Sequence, residues 1–229
     1  MTEITIQNPA GAAQGAELVG VLTQYASDFF DEYTYDQVNE TLIFKNTGDN
    51  TAWVTINIGE SQVLRITLFD GSYATVSITG VRGINCVFVS DNFVALCFKK
   101  ESTSVFYPIC GISKNTLGEV CCFYMCQYQY QSSIQSLSIS SNETCSYPSM
   151  LMLVNTARRS LTKIPIGDMI SHIQIVNAIP IYDSKDTKLE GVYFNTMGAL
   201  KDLFELTEFM HNGHTYTSVL CGRFIVEDA

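Results

Sequence analysis

From about residue 41 to residue 131 the chain is a series of short β-type runs, each cut off by turn residues within eight to twelve positions, and this rhythm constrains the fold more than any other feature. The runs are TLIFKN, AWVTINI, QVLRITLF, YATVSIT, NCVFVS, FVALCFKK, SVFYPICGI and EVCCFYMCQYQYQ. Between them lie TGDNT, GES, DGS, GVRG, DN, ES and SKNTLG. This pattern predicts a mainly β fold, an antiparallel hairpin meander forming a sandwich or a barrel.

Side-chain parity tests individual turns, because alternate residues of a strand face opposite ways. In LRITLFDGSYATVSI, a three-residue loop with Gly71 in the left-handed position sets Leu64, Ile66 and Leu68 on one face with Ala74 and Val76. A two-residue turn at Asp91-Asn92 sets Cys86 opposite Cys97, and a turn centred on Asn115-Thr116 sets Cys110 opposite Cys121.

The flanks read differently. EITIQNP at the start alternates like a short strand, and Pro9 followed by AGAAQG loosens the chain before AELVGVLTQYASDFF. Leu18, Val21, Leu22, Tyr25 and Phe29 recur at helical spacing, predicting one amphipathic helix over about 16–30. DEYTYDQVNE has no period and reads as a connection. After 131, SSIQSLSISSNETCS suggests a strand and a long polar loop. Strand-like runs return in MLMLVN, ISHIQIVNAIPIYD, EGVYFNT and TYTSVLCGRFIVED, with a short C-terminal helix in the first half of GALKDLFELTEFM. The organisation expected is 1–40 as strand or arm, helix and connection, 41–131 as an antiparallel β domain, and 132–229 as a second β-rich region, separate or packed on the first as one unit.

Cys121, Cys122 and Cys126 stand within six residues and pose the metal question. On a strand, Cys121 and Cys122 point to opposite faces, and Cys122 and Cys126 are separated by ~13 Å. One zinc ion needs its sulfurs within a few ångström of each other, so these cysteines read as thiols filling space in a core. His211 and His214 flank Asn212-Gly213, a hairpin signal, but a third ligand such as Glu208 or Cys221 would have to come from the fold, and surface histidines beside a turn are expected. His172 reads as a strand residue on a polar side.

The acids Asp28, Asp31, Glu32, Asp36 and Glu40 lack EF-hand spacing and read as a solvated acidic face or a docking surface for a basic neighbour. The chain has neither a Gly-rich phosphate loop nor a Gly-x-Ser-x-Gly elbow nor a His-Glu-x-x-His motif, so no catalytic, cofactor-binding or metal residues are assigned. Trp53, beside Val54 and Ile56, is expected in the core. The formal charge of −10, from 23 acidic against 13 basic residues, opposes a phosphate backbone, which argues against nucleic acid; ARRSLTK, with Arg158, Arg159 and Lys163, is read as a solvated loop. No stretch reaches the ~18 apolar residues of a membrane helix. The start of the chain lacks a secretory pattern, which predicts folding in a reducing cytoplasm and makes the Asn39 and Asn142 glycosylation matches chance. Only 16% of residues are charged while 46% are hydrophobic, so uncharged polar side chains must cover much of the surface, a habit of proteins that assemble.

The short EITIQNP opening followed by a small-residue linker, the hairpin meander with an uncharged polar exterior, and the closing NGHTYTSVLCGRFIVED together resemble a tailed-bacteriophage virion component. The resemblance covers roughly the last twenty residues and a general style, and carries over no functional residue. It implies a non-enzymatic structural subunit whose partners are other virion proteins and copies of itself, located in the virion and assembled in the host cytoplasm. Residues 1–15 are expected to act as an arm that adds to a neighbour's sheet. A second class is an adhesion or carbohydrate-binding β module using Tyr128, Tyr130 and Tyr147; a third is a glycan-active hydrolase using carboxylates.

Overall fold

The computed structural model describes residues 1–47, 52–59, 63–68, 74–79, 83–99, 106–126, 138–139, 150–165, 178–183, 187–195, 208–219 and 224–228. The fold is mainly β, with antiparallel sheets, one helix near the N-terminus and no closed barrel. Of the two architectures expected, the layered one is found.

Three sheets are stacked in layers. The middle one has seven strands in the order β1 (Thr2–Thr5), β7 (Cys86–Ser90), β8 (Phe93–Lys99), β9 (Phe106–Lys114), β10 (Val120–Cys126), β12 (Met150–Asn155) and β13 (Ser160–Pro165). A six-stranded sheet runs β11 (Ser138–Ile139), β6 (Ala74–Thr79), β5 (Val63–Leu68), β4 (Val54–Asn57), β3 (Thr41–Lys45) and β2 (Glu32–Asp36). The third has five strands, β14 (Ala178–Tyr182), β15 (Lys188–Asn195), β18 (Phe224–Glu227), β17 (His214–Val219) and β16 (Glu208–His211).

The middle sheet is buried on both faces, which explains why its strands read as continuous apolar runs instead of alternating ones. Val87, Val94, Leu96, Cys110, Ile112, Cys122 and Val154 face the core shared with the six-stranded sheet and the helix α1 (Ala12–Tyr25). Their neighbours Cys86, Phe88, Phe93, Ala95, Cys97, Cys121, Phe123 and Leu153 face a second core, closed by Ile181, Leu189, Val192 and Val226 of the five-stranded sheet. Cys121 and Cys122 therefore do point to opposite faces, each as a small apolar filler. Burial pushes the Cys110 thiol up to about 12, and burial, followed by the charges of Asp183 and Glu119, does the same for Cys121, so both are protonated at neutral pH.

Two of the three turn readings hold. Ile66 pairs with Val76 and Leu68 with Ala74, as the odd-length loop requires, and Cys86 pairs with Cys97 across the Asp91-Asn92 turn. Cys110 does not face Cys121, which instead sits opposite Ser113. The turn is centred on Leu117, not on Asn115-Thr116, because the Asn115 side-chain carbonyl accepts from Leu117 N at 3.0 Å and Glu119 N at 2.9 Å and so folds the chain later.

The helix also differs from the range 16–30. It begins at Ala12, after Gly11 at φ 109, so the supposed linker supplies its first turn, and it ends at Tyr25. Leu18 and Leu22 are fully buried; Phe29 and Phe30 reach the same core from the turn that follows. α1 lies close on β2 because Gly15 has no side chain: a Cβ there would enter the Tyr35 ring. Glu32–Asp36, expected as a connection, is a strand whose Tyr33 is buried and whose Thr34 is exposed. Ser160–Pro165, expected in a solvated loop, is the edge strand β13.

The expected arm divides in two. Thr2–Thr5 pairs with β7 of its own chain. Residues 12–15 belong to α1, where the buried Gln14 donates to Asn8 O at 2.7 Å and accepts from Ile84 N at 2.8 Å. The link between them is fastened by Glu17, whose carboxylate accepts from Gln7 N and Asn8 N, both at 2.8 Å. The latter halves of EVCCFYMCQYQYQ and SSIQSLSISSNETCS, ISHIQIV with His172, the C-terminal helix and the third-ligand candidate Cys221 lie outside the described residues.

Candidate functional site

Two polar constellations stand out, one closed and one open. The closed one joins the middle and five-stranded sheets. Asn115 donates from Nδ2 to Glu119 Oε2 at 2.8 Å and to Asp183 Oδ2 at 3.1 Å. Asn155 donates from Nδ2 to the same two oxygens at 2.9 and 3.0 Å. The two carboxylates and two amides thus alternate around a rhombus. Arg158 Nε lies 2.8 Å from Glu119 Oε2, while Arg158 N donates to Asn155 Oδ1 at 3.0 Å. The amides of Asn155 and Asn115, and then Arg158, hold Glu119 below the usual carboxylate range despite its desolvation. Every acid in this cluster already accepts from several donors, so it acts as a clamp between layers and not as an acid–base pair.

The open constellation is a cleft of about 540 Å³. Tyr25 and Asp28 come from the end of α1 and the turn after it, Ser90 and Asp91 from the β7–β8 hairpin, and Glu227 and Asp228 from the end of β18. Two of these acids are fixed from behind. Glu227 accepts from His214 Nδ1 at 2.6 Å and from the Tyr193 hydroxyl at 2.8 Å. Asp228 accepts from Thr217 Oγ1 at 2.6 Å, and the Met1 amino group stands 3.7 Å from its Oδ1. Asp28 and Asp91 have no hydrogen-bond or ion-pair partner among the described residues. Ser90 Oγ is buried with no hydrogen-bond partner.

Behind Glu227 the outer face of the five-stranded sheet bears an aromatic row. Phe209 stacks on Tyr216 with centroids 5.8 Å apart, and Tyr193 meets Tyr216 edge-on at 5.8 Å. Burial, then the hydrogen bond to Glu227 and its charge, push the Tyr193 phenol up to about 12.

The residues weighed from sequence are largely dispersed by the fold. His211 and His214 do sit opposite one another across Asn212-Gly213, but His214 turns to Glu227 and His211 Nε2 lies 3.0 Å from Asn212 Nδ2. Among the described residues no three His, Cys, Asp or Glu side chains converge as metal ligands. Of the acidic run only Asp28 reaches the cleft. Asp31 accepts from Thr47 N at 2.9 Å, Glu32 pairs with Lys45 at 3.0 Å, and Asp36 caps its hairpin through Val38 N at 2.9 Å. The ARRSLTK arginines are not a solvated pair: Arg158 grips Glu119, and the Arg159 guanidinium lies over the Trp53 ring at 5.8 Å. Trp53 itself is in the core, as expected. Tyr128, Tyr130 and Tyr147 lie outside the described residues. Among the described residues no helix is long and apolar enough to cross a membrane.

The cleft was not read from the sequence. Its acids come from three distant segments, and only their exposed, unpartnered character in the folded chain unites them. No protein-family model, no curated protein and no solved structure matches the chain.

Proposed function

We propose that the chain is a non-enzymatic structural subunit of a phage particle, acting through contacts with copies of itself and with other virion proteins. The observation that carries this reading is the middle sheet. Its two faces are covered by the protein's own layers, so its backbone can meet a neighbour only at the ends, and those ends are the short strands β1 and β13. The resemblance of the chain's opening, meander and closing segment to tailed-phage components supports the same reading. Removal of residues 1–5 tests it. The intact chain is expected to form a discrete oligomer by light scattering, and the truncated chain to be a folded monomer. An intact chain that is monomeric at all concentrations and does not sediment with particles overturns the reading.

The aromatic row favours a second reading, a carbohydrate-binding module, since Phe209 and Tyr193 are partly exposed beside the Glu227 carboxylate. It predicts glycan-array binding that Tyr193→Ala abolishes; an array without signal removes it.

A further inference from the structure

We propose that the cleft between α1, the β7–β8 hairpin and β18 receives an arginine side chain from a basic segment of a protein partner. Four carboxylates, from Asp28, Asp91, Glu227 and Asp228, line one cavity of about 540 Å³, a size that suits a side chain and its flanking backbone. A cation already stands in it: the Met1 amino group, 3.7 Å from Asp228. Ser90 Oγ, buried on the cleft wall, lacks a partner, and a guanidinium N–H is a donor it can accept. Tyr25, 46% exposed, offers a ring face at the lip.

Arginine fits this set better than other cations. Its planar fork can pair two carboxylate oxygens at once while its face stacks on an aromatic ring, which a lysine ammonium cannot do. A metal ion would need three converging ligands, and the described residues offer none. A second copy of the chain is a poorer donor, because Arg158 is held by Glu119, Arg159 by Trp53 and Lys45 by Glu32. The proposal names the kind of partner for the assembly reading, yet the charge of the cleft does not depend on that reading.

The test uses the full chain and the peptide Ac-Gly-Arg-Gly-Arg-Gly-NH2, with the citrulline and lysine analogues and calcium chloride as parallel arms. Nuclear magnetic resonance titration is expected to give saturable shifts at Tyr25, Asn92 and Asp228 with the arginine peptide, weaker ones with lysine and none with citrulline. Affinity should fall several-fold between low and physiological salt, and Asp28→Asn with Asp91→Asn should weaken it by about tenfold. Tyr25→Ala gives an independent readout through loss of the arginine-over-lysine preference, should the double variant fold poorly. Equal binding of the citrulline peptide, absence of saturation, saturable shifts with calcium alone, or self-association that the double variant abolishes each overturn the proposal. Such a failure leaves the oligomer measurement on residues 1–5 unaffected, so the two readings fail separately.

Discussion

Asn155→Leu should lower the free energy of unfolding by about 3 kcal/mol or more, because it strips donors from two carboxylates at once. Asn155 is fully buried and its amide donates to both Glu119 and Asp183, while its carbonyl accepts from Arg158 N. Leucine has nearly the same volume, so the loss reports hydrogen bonding and charge, not a cavity. For a chain of this length such a loss corresponds to a fall in Tm of roughly 6–12 °C. The pH dependence carries a distinct sign. In the native protein the folded-state pKa of Glu119 is held below its unfolded value, so its contribution is complete above the unfolded value and disappears as pH falls through the folded one. In the variant the two carboxylates face each other with one amide fewer, so their folded-state pKa values rise and protonation relieves the repulsion. The gap between native and variant stability should therefore narrow in acid. Urea titrations at neutral pH and in mild acid measure it, and a gap that is constant or widens in acid refutes the account.

Gly111→Val should cost about 2–3 kcal/mol by overpacking the second core. Gly111 sits opposite Phe123, and a Cβ there would lie 2.5 Å from the ring's outer carbons. Phe123 is itself hemmed in, 1% exposed and 6.2 Å from the Phe93 ring centroid. The ring cannot swing aside without disturbing Phe93. In a Phe123→Ala background the same valine enters space that the ring has left, so the two changes should couple by about 1–3 kcal/mol. Denaturant titrations of the four proteins close the cycle; additive losses would show that the contact is unimportant.

The parts of the fold that could be read in advance were those fixed by neighbours in sequence. The odd loop pairing Ile66 with Val76 and the tight turn pairing Cys86 with Cys97 follow from hydrophobic parity over a dozen residues. The turn at Asn115 escaped because a single side-chain carbonyl, accepting from Leu117 N and Glu119 N, relocates it. Strand β2 escaped because its acids at both ends mask the inward Tyr33. The layering could not be read from a one-dimensional pattern: Val87 and Phe88 are equally apolar, and nothing in their order says that they serve different cores. The cleft was less legible still, since Asp28, Asp91 and Asp228 belong to segments with no local signal of convergence.

A sheet that is greasy on both sides has lost the usual means of keeping its strands aligned. When one face is wet, slipping a strand by a residue drives polar groups inward and is punished at once. Between β8, β9 and β10 a slip would exchange one oily side chain for another. Correct alignment there must be enforced by bulk and by the corners: the notch at Gly111 that admits one ring, and the hairpin bends at Asn92 and Leu117 that set the count. In this protein those few positions carry the task that amphipathic alternation performs elsewhere.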